Sequence, residues 1–202
     1  MTIINMPANL PFKNVTWGLQ TNTQTWISPL SGTAQTRELP GARWVATYQF
    51  APSKRTERAA LEVFLMQLRG SAGRFYAFNP VNDGLFGAGG GTPKVAGPNQ
   101  TGSALVTDGW PASAAELTAG AEFPVGTERK RVTADVPADG AGIATINFEP
   151  VLRTSPADNA DIVTDKPTCV MRLVDDNQVS VSQDVAGFAE ISFSAVESFF
   201  DE

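Results

Sequence analysis

The side chains that most often carry chemistry are thinly supplied in this chain. Histidine is absent and cysteine occurs once, as Cys169. Without an imidazole to accept a proton, neither a Ser-His-Asp nor a Cys-His arrangement can be built. One sulfur ligand is too few for an ordinary zinc site. Cys169 lies in the run Pro167-Thr168-Cys169-Val170-Met171, an apolar strand-like setting in which the thiol serves as a small buried hydrophobe. Carboxylates are the remaining resource. Asp175-Asp176 and the trio Asp158, Asp161 and Asp165 offer the oxygen ligands that calcium takes. Asp and Asn are also preferred turn residues, and for Asp175-Asp176-Asn177 the turn is the favoured reading. Two carboxylates suffice for glycoside hydrolysis, but no pair is singled out. No catalytic residue, metal or cofactor is assigned.

Three further groups of residues could make contacts with a ligand or partner. The glycine-rich run Gly84-Leu85-Phe86-Gly87-Ala88-Gly89-Gly90-Gly91 contains G-x-G. A dinucleotide loop must open a helix, whereas Thr92-Pro93-Lys94-Val95 follows here, so the run reads as a connector. Arg129-Lys130-Arg131 is the one basic cluster. It reads either as a solvated strand edge, where charge discourages unwanted pairing, or as a contact for an acidic neighbouring subunit. Trp17, Trp26 and Trp44 sit in strand patterns and are expected in the core, whereas Trp110, in Asp108-Gly109-Trp110-Pro111, is placed in a loop as an exposed contact residue.

The composition narrows the class of partner. The net charge of −6 argues against general nucleic-acid binding, which needs a basic surface. The charge is unevenly distributed. Residues 1–84 carry eight Lys/Arg against four Asp/Glu, a local +4, while residues 85–165 and 166–202 each stand at −5. Such polarity suits ordered association between oppositely charged faces. No apolar stretch reaches 18 residues, so no membrane-spanning helix is expected. Met1 to Phe12 has neither a basic region nor an apolar run, so no secretory leader is expected and synthesis is placed in the cytoplasm. A single cysteine excludes an intramolecular disulfide framework.

The elements that must position these residues are mostly strands. Eighteen glycines and 14 prolines imply many turns. Arg43 to Phe50 alternates most clearly, with Trp44, Ala46, Tyr48 and Phe50 on one face. Strands are also expected over Phe12–Leu19 and Thr33–Leu39, with Ser31-Gly32 as a turn and Pro40-Gly41 as the turn of a hairpin. One helix is predicted, its apolar stripe formed by Leu61, Phe64, Leu65 and Leu68, capped by Ser53 or Thr56 and stopped by Gly70. A strand over Gly73–Phe78 follows. Beyond the connector lie short strands near 94–96, 103–107, 121–125, 130–136 and 143–148, a spacing that fits a small β-barrel or sandwich. Three more are expected at Cys169–Val174, Val179–Val181 and Phe188–Val196. In the last, Ala189, Ile191, Phe193 and Ala195 share one side. The chain is therefore read as mainly β. Residues 1–84 and 166–202 form a sandwich with one packed helix, and residues 85–165 form an inserted β domain.

Several runs carry a family resemblance. They are Gly41-Ala42-Arg43-Trp44-Val45-Ala46-Thr47-Tyr48, then Gly73-Arg74-Phe75-Tyr76-Ala77-Phe78-Asn79-Pro80, then Asn99-Gln100-Thr101-Gly102-Ser103-Ala104-Leu105 with Asp108-Gly109-Trp110. Phe148-Glu149-Pro150-Val151-Leu152-Arg153, Met171-Arg172-Leu173-Val174-Asp175-Asp176 and Ile191-Ser192-Phe193-Ser194-Ala195-Val196-Glu197 complete the series. Together they resemble the distal tail protein family of tailed bacteriophages. The resemblance implies a β-sandwich domain that forms a ring, with an outward-facing galectin-like or OB-like β domain. It further implies a structural virion protein, hexameric, joining the tail tube to the tip hub, whose partners are its own copies and those tail proteins. The competing expectation is a module whose inserted domain binds host-surface carbohydrate through Trp110. A glycan hydrolase comes last.

Overall fold

Alternation of apolar and polar residues dictates most of the strands in the computed structural model, which describes residues 2–7, 9–81, 91–112, 115–163, 166–177, 182–183 and 187–199. The first part of the chain forms β1 (Ile3–Asn5), β2 (Phe12–Gln20), β3 (Thr23–Ile27), β4 (Ala34–Glu38) and β5 (Arg43–Phe50). One helix, α1 (Arg55–Leu68), a single 3-10 turn (Gly70–Ala72) and β6 (Arg74–Phe78) follow. Next come β7 (Lys94–Val95), β8 (Ala104–Asp108), β9 (Ala115–Leu117), β10 (Glu122–Val125), β11 (Glu128–Val132), β12 (Val136–Pro137) and β13 (Ala144–Glu149). The last described strands are β14 (Thr168–Leu173), β15 (Ser182–Gln183), β16 (Ala189–Glu190) and β17 (Ser192–Glu197). Among the described residues the protein is mainly β with one helix, and one of its sheets curls into a half-barrel.

That sheet has the order β1-β6-β14-β17-β5-β2. The chain leaves it at β6 and returns beside β6 at β14, in antiparallel register from Thr168↔Phe78 to Met171↔Phe75. Trp44, Ala46, Tyr48 and Phe50 of β5 are all buried, as are Ala189, Ile191, Phe193 and Ala195 near the end of the chain. α1 lies across this face because Leu61, Phe64, Leu65 and Leu68 fall on one side of a 3.6-residue period. Phe64 meets Phe75 edge-on with ring centroids 5.3 Å apart, and Phe193 stacks against Phe50 at 5.7 Å. The buried Tyr48 hydroxyl donates to Phe78 O at 2.8 Å.

The helix ends differ in detail from expectation. Lys54, not Ser53 or Thr56, is the N-cap, and the Glu57 carboxylate accepts from its N–H at 3.1 Å. Ser53 is buried and bridged to Ala189 instead. At the C-terminus Arg69 takes the left-handed conformation, and Gly73 N–H donates to Leu68 O at 2.8 Å. A Cβ on Gly73 would collide with the Leu68 backbone, so the return into β6 requires glycine.

The expected hairpin across Pro40-Gly41 does not form. β5 pairs with β2 over Phe12–Gln20, and β4 pairs with β3. β3 continues the path of β2 and β4 leads into β5, so residues 12–50 make one long hairpin with its tip at Ser28–Thr33. There Ser28 N–H donates to Thr33 O and Gly32 N–H to Ser28 O, both at 2.9 Å. Consecutive strands on the same arm of a hairpin run in the same direction, so Pro40-Gly41 marks a kink. Leu39 N–H to Asn22 O (2.8 Å) and Asn22 Nδ2 to Pro40 O (3.0 Å) clamp the two arms at that kink.

A second core gathers Val95, Leu105, Trp110, Leu117, Phe123, Ile146, Phe148 and their neighbours. It is built on a five-stranded sheet of order β10-β11-β13-β8-β7, with the β9–β12 ribbon beside it. The connector at 84–90 and the strand expected at Val179–Val181 lie outside the described residues. No described helix is long and apolar enough to cross a membrane.

Candidate functional site: the charged junction and the exposed hairpin

The basic cluster lies in β11, which is an interior strand between β10 and β13. A solvated edge is therefore excluded, and so is a free contact for an acidic subunit at Arg129 and Lys130, whose exposure is 0%. Alternation sends Arg129 and Arg131 to one face of β11, and Glu128 and Lys130 to the other. On the first face, Arg129 and Arg131 both donate to the Glu122 carboxylate, and Arg131 Nε is 3.0 Å from Oε1. Arg129 Nη1 also donates to Pro167 O at 2.7 Å. Its guanidinium lies 4.6 Å from the Trp17 ring centroid, and that of Arg131 lies 5.1 Å from Trp44.

These residues join the second core to the first. Trp44, in the middle of the N-terminal pattern, donates Nε1–H to Arg129 O at 2.7 Å. The Trp44 N–H donates to Glu197 Oε2 at 3.0 Å, while Arg153 Nη2 holds Glu197 Oε1 at 3.0 Å. On the other face of β11, Lys130 Nζ donates to Glu128 Oε2 at 2.6 Å and to Val151 O at 2.9 Å. Glu128 also accepts from Arg153 N–H (3.2 Å) and Thr154 N–H (3.1 Å). Burial pushes the Lys130 ammonium below its ordinary pKa, and the Glu128 carboxylate offsets part of that. A buried charge is tolerated only when paired and hydrogen-bonded. The cluster therefore fixes the position of the β10–β11 hairpin against Trp17, Trp44 and Glu197. Glu122, Glu128, Arg153 and Glu197 were not singled out from the sequence. One signal was present: four successive charges, Glu128 to Arg131, in a strand pattern leave no face for an apolar core and so demand partners.

Trp110 is not an exposed contact residue. It is 5% exposed and belongs to the second core. Its Nε1–H donates to Thr107 Oγ1 at 2.7 Å, and its backbone N–H to Gly142 O at 3.2 Å. The loop doubles back under the Gly142 turn, where φ of +74° and the approach of Trp110 O exclude any side chain. A loop position in sequence thus became a core position.

The acidic candidates are engaged one by one. Asp176 Oδ1 accepts from Ser71 N–H at 2.8 Å and from its hydroxyl at 2.7 Å, which holds the carboxyl below its usual pKa. Asp158 accepts from Gly97 N–H at 2.8 Å, and Asp161 lies 3.4 Å from Lys94 Nζ. Asp165 lies outside the described residues. Among the described residues no three His, Cys, Asp or Glu side chains converge on a metal-sized site. Cys169 is buried, and burial raises its thiol pKa well above the ordinary value, which suppresses the reactive thiolate.

The β3–β4 end of the long hairpin forms a separate two-stranded sheet in which all ten strand residues are exposed. Trp26, expected in the core, is 57% exposed, and Ile27 and Leu30 are 61% and 98% exposed. The cause is topological: β17 covers β5 only from Val45 to Gln49, and among the described residues no third strand pairs with β3 or β4. At the root of this hairpin Pro40, Ala42, Pro150, Val151, Leu152 and Phe199 line a groove of about 430 Å³. Arg43 and Arg153 lie over the Phe199 ring, at 5.5 and 4.3 Å from its centroid.

No family model matches the chain, and a comparison with curated proteins gives no match.

Proposed function

We propose that this protein is a structural component of a bacteriophage tail, a distal tail protein that works by closing a ring of its own copies, six in number, between the tail tube and the tip hub. The observation that supports the reading is the exposed β3–β4 hairpin. A two-stranded hairpin alone is at best marginally stable in water, and a third strand or a packing surface is what makes it secure. Here it carries Trp26, Ile27 and Leu30 into solvent, which is the character of a contact surface. The network around Arg129 holds the rest of the molecule as a firm base for such an arm. The sequence resemblance supplies the phage tail, the neighbours and the copy number.

In this reading the chain is not an enzyme and resides in the virion. The carbohydrate-binding alternative rested on Trp110, whose burial removes its sugar-facing ring. The mass of the purified protein in solution, together with labelled imaging of virions, tests the proposal. A ring-sized oligomer at the tail tip is expected. A chain that stays monomeric at its solubility limit and is missing from virions would overturn it.

A further inference from the structure

We infer that the hairpin tip of one copy seats Trp26 in the groove at the hairpin root of the next copy, between Ala42, Val151 and Phe199. The inference rests on the ring-forming reading and names the contact that would build the ring.

Both halves of the contact belong to this one chain. The protruding half carries no charge, since from Thr21 to Thr36 there is no Asp, Glu, Lys or Arg, and among its polar residues Trp26, Ile27 and Leu30 are the exposed large apolar side chains. The hairpin therefore brings no ionic group of its own to be desolvated on docking. The receiving half is lined by Ala42, Pro150, Val151, Leu152 and Phe199 together with Arg153. Its volume of about 430 Å³ is in the range that accepts a compact organic group such as an indole. Arg43, already 5.5 Å from the Phe199 centroid, offers a guanidinium on which a second aromatic ring can stack. Tryptophan is also the residue type that most often anchors interfaces.

The occupant must come from another molecule. Five paired rungs, Thr23↔Glu38 to Ile27↔Ala34, separate the tip from the root. Trp26 stands on the fourth of these, three steps beyond Thr23, which at about 3.4 Å per residue places it ~10 Å along the ladder from the root. A hydrogen-bonded ladder cannot fold back on itself to bring Trp26 to its own root. Donor and acceptor are different patches of one chain, so the contact is head-to-tail, the kind that repeats around a ring when the rotation closes.

The full-length chain permits a direct test, because its only cysteine, Cys169, is buried. Leu30→Cys combined with Val151→Cys keeps Trp26 in place and puts one thiol on each half of the contact, at positions that are 98% and 43% exposed in the native chain. Mild oxidation is expected to give a ladder of covalent multimers on a non-reducing gel, while each single variant stops at a dimer. In parallel, Trp26→Ser is expected to weaken self-association by about tenfold or more. If the chain assembles as before with Trp26→Ser and the double variant gives no ladder, the docking of Trp26 is wrong and the ring-forming reading survives. If the native chain never assembles, both fall together.

Discussion

Replacing Glu122 by leucine removes the carboxylate to which Arg129 and Arg131 both donate. Arg129 is fully buried, whereas the Arg131 side chain is 42% exposed and can turn to water. The Arg131 share is therefore small, about 0–1 kcal/mol as for other solvent-accessible pairs. Arg129 has no such escape, and stranding one partner of a buried pair costs about 3–5 kcal/mol. Its remaining bond to Pro167 O and its stacking on Trp17 place the loss near the lower end, about 3 kcal/mol. For a protein of this size that corresponds to a drop of roughly 6–12 °C in melting temperature. Urea unfolding followed by far-UV circular dichroism measures it as a lower midpoint at similar slope. The loss should change little between low and moderate salt, because buried pairs are weakly screened. Adding Arg129→Met should restore most of it, since the pair is then exchanged for apolar volume. A loss under about 1 kcal/mol, or one that moderate salt abolishes, would refute the view that this cluster is buried and holds the junction.

Two further outcomes follow from other parts of the molecule. Trp110→Phe removes the indole N–H from the Thr107 hydroxyl and should cost about 1 kcal/mol, while Trp110→Ala should cost about 3–5 kcal/mol. Both are read by thermal unfolding, and glycan-array binding should not distinguish them from the native chain. Asp176→Asn should alter the acid limb of the stability curve. The Asp176 carboxyl has a lowered folded pKa, so its contribution is complete above the unfolded value near 3.8 and fades as pH falls through the folded value. The native and variant curves should differ at neutral pH and converge in strong acid; parallel curves would show that Ser71 does not engage the carboxylate.

Part of the molecule was legible from local pattern. Period-2 alternation placed Trp44, Tyr48 and Phe50 on a buried face, and it did the same for Ala189, Ile191 and Phe193. The helical period placed Leu61, Phe64, Leu65 and Leu68 against them. These assignments need only neighbours a few residues away, because a strand or helix face is defined by its own repeat. The hairpin turn was misplaced from Ser31-Gly32 to Pro40-Gly41, since both dipeptides break a strand and only pairing tells a tip from a kink.

The chemistry of the surface was decided by distance in space. Trp26 and Trp44 occupy similar strand patterns, yet one faces solvent and the other is sealed by β11. What separates them is whether another layer arrives, and that layer is supplied by residues far along the chain. Trp44 N–H finds Glu197 across 153 residues, and Trp44 Nε1 finds Arg129 O across 85. In the same way three adjacent cations read as a wet edge until Glu122, Glu128 and Pro167 close around them. The sequence by itself determined the helix and the strongly alternating strands, such as Arg43–Phe50, and which face of each is apolar. Only the tertiary structure decided which charges and rings are enclosed, because burial of a polar group depends on partners that no local repeat encodes.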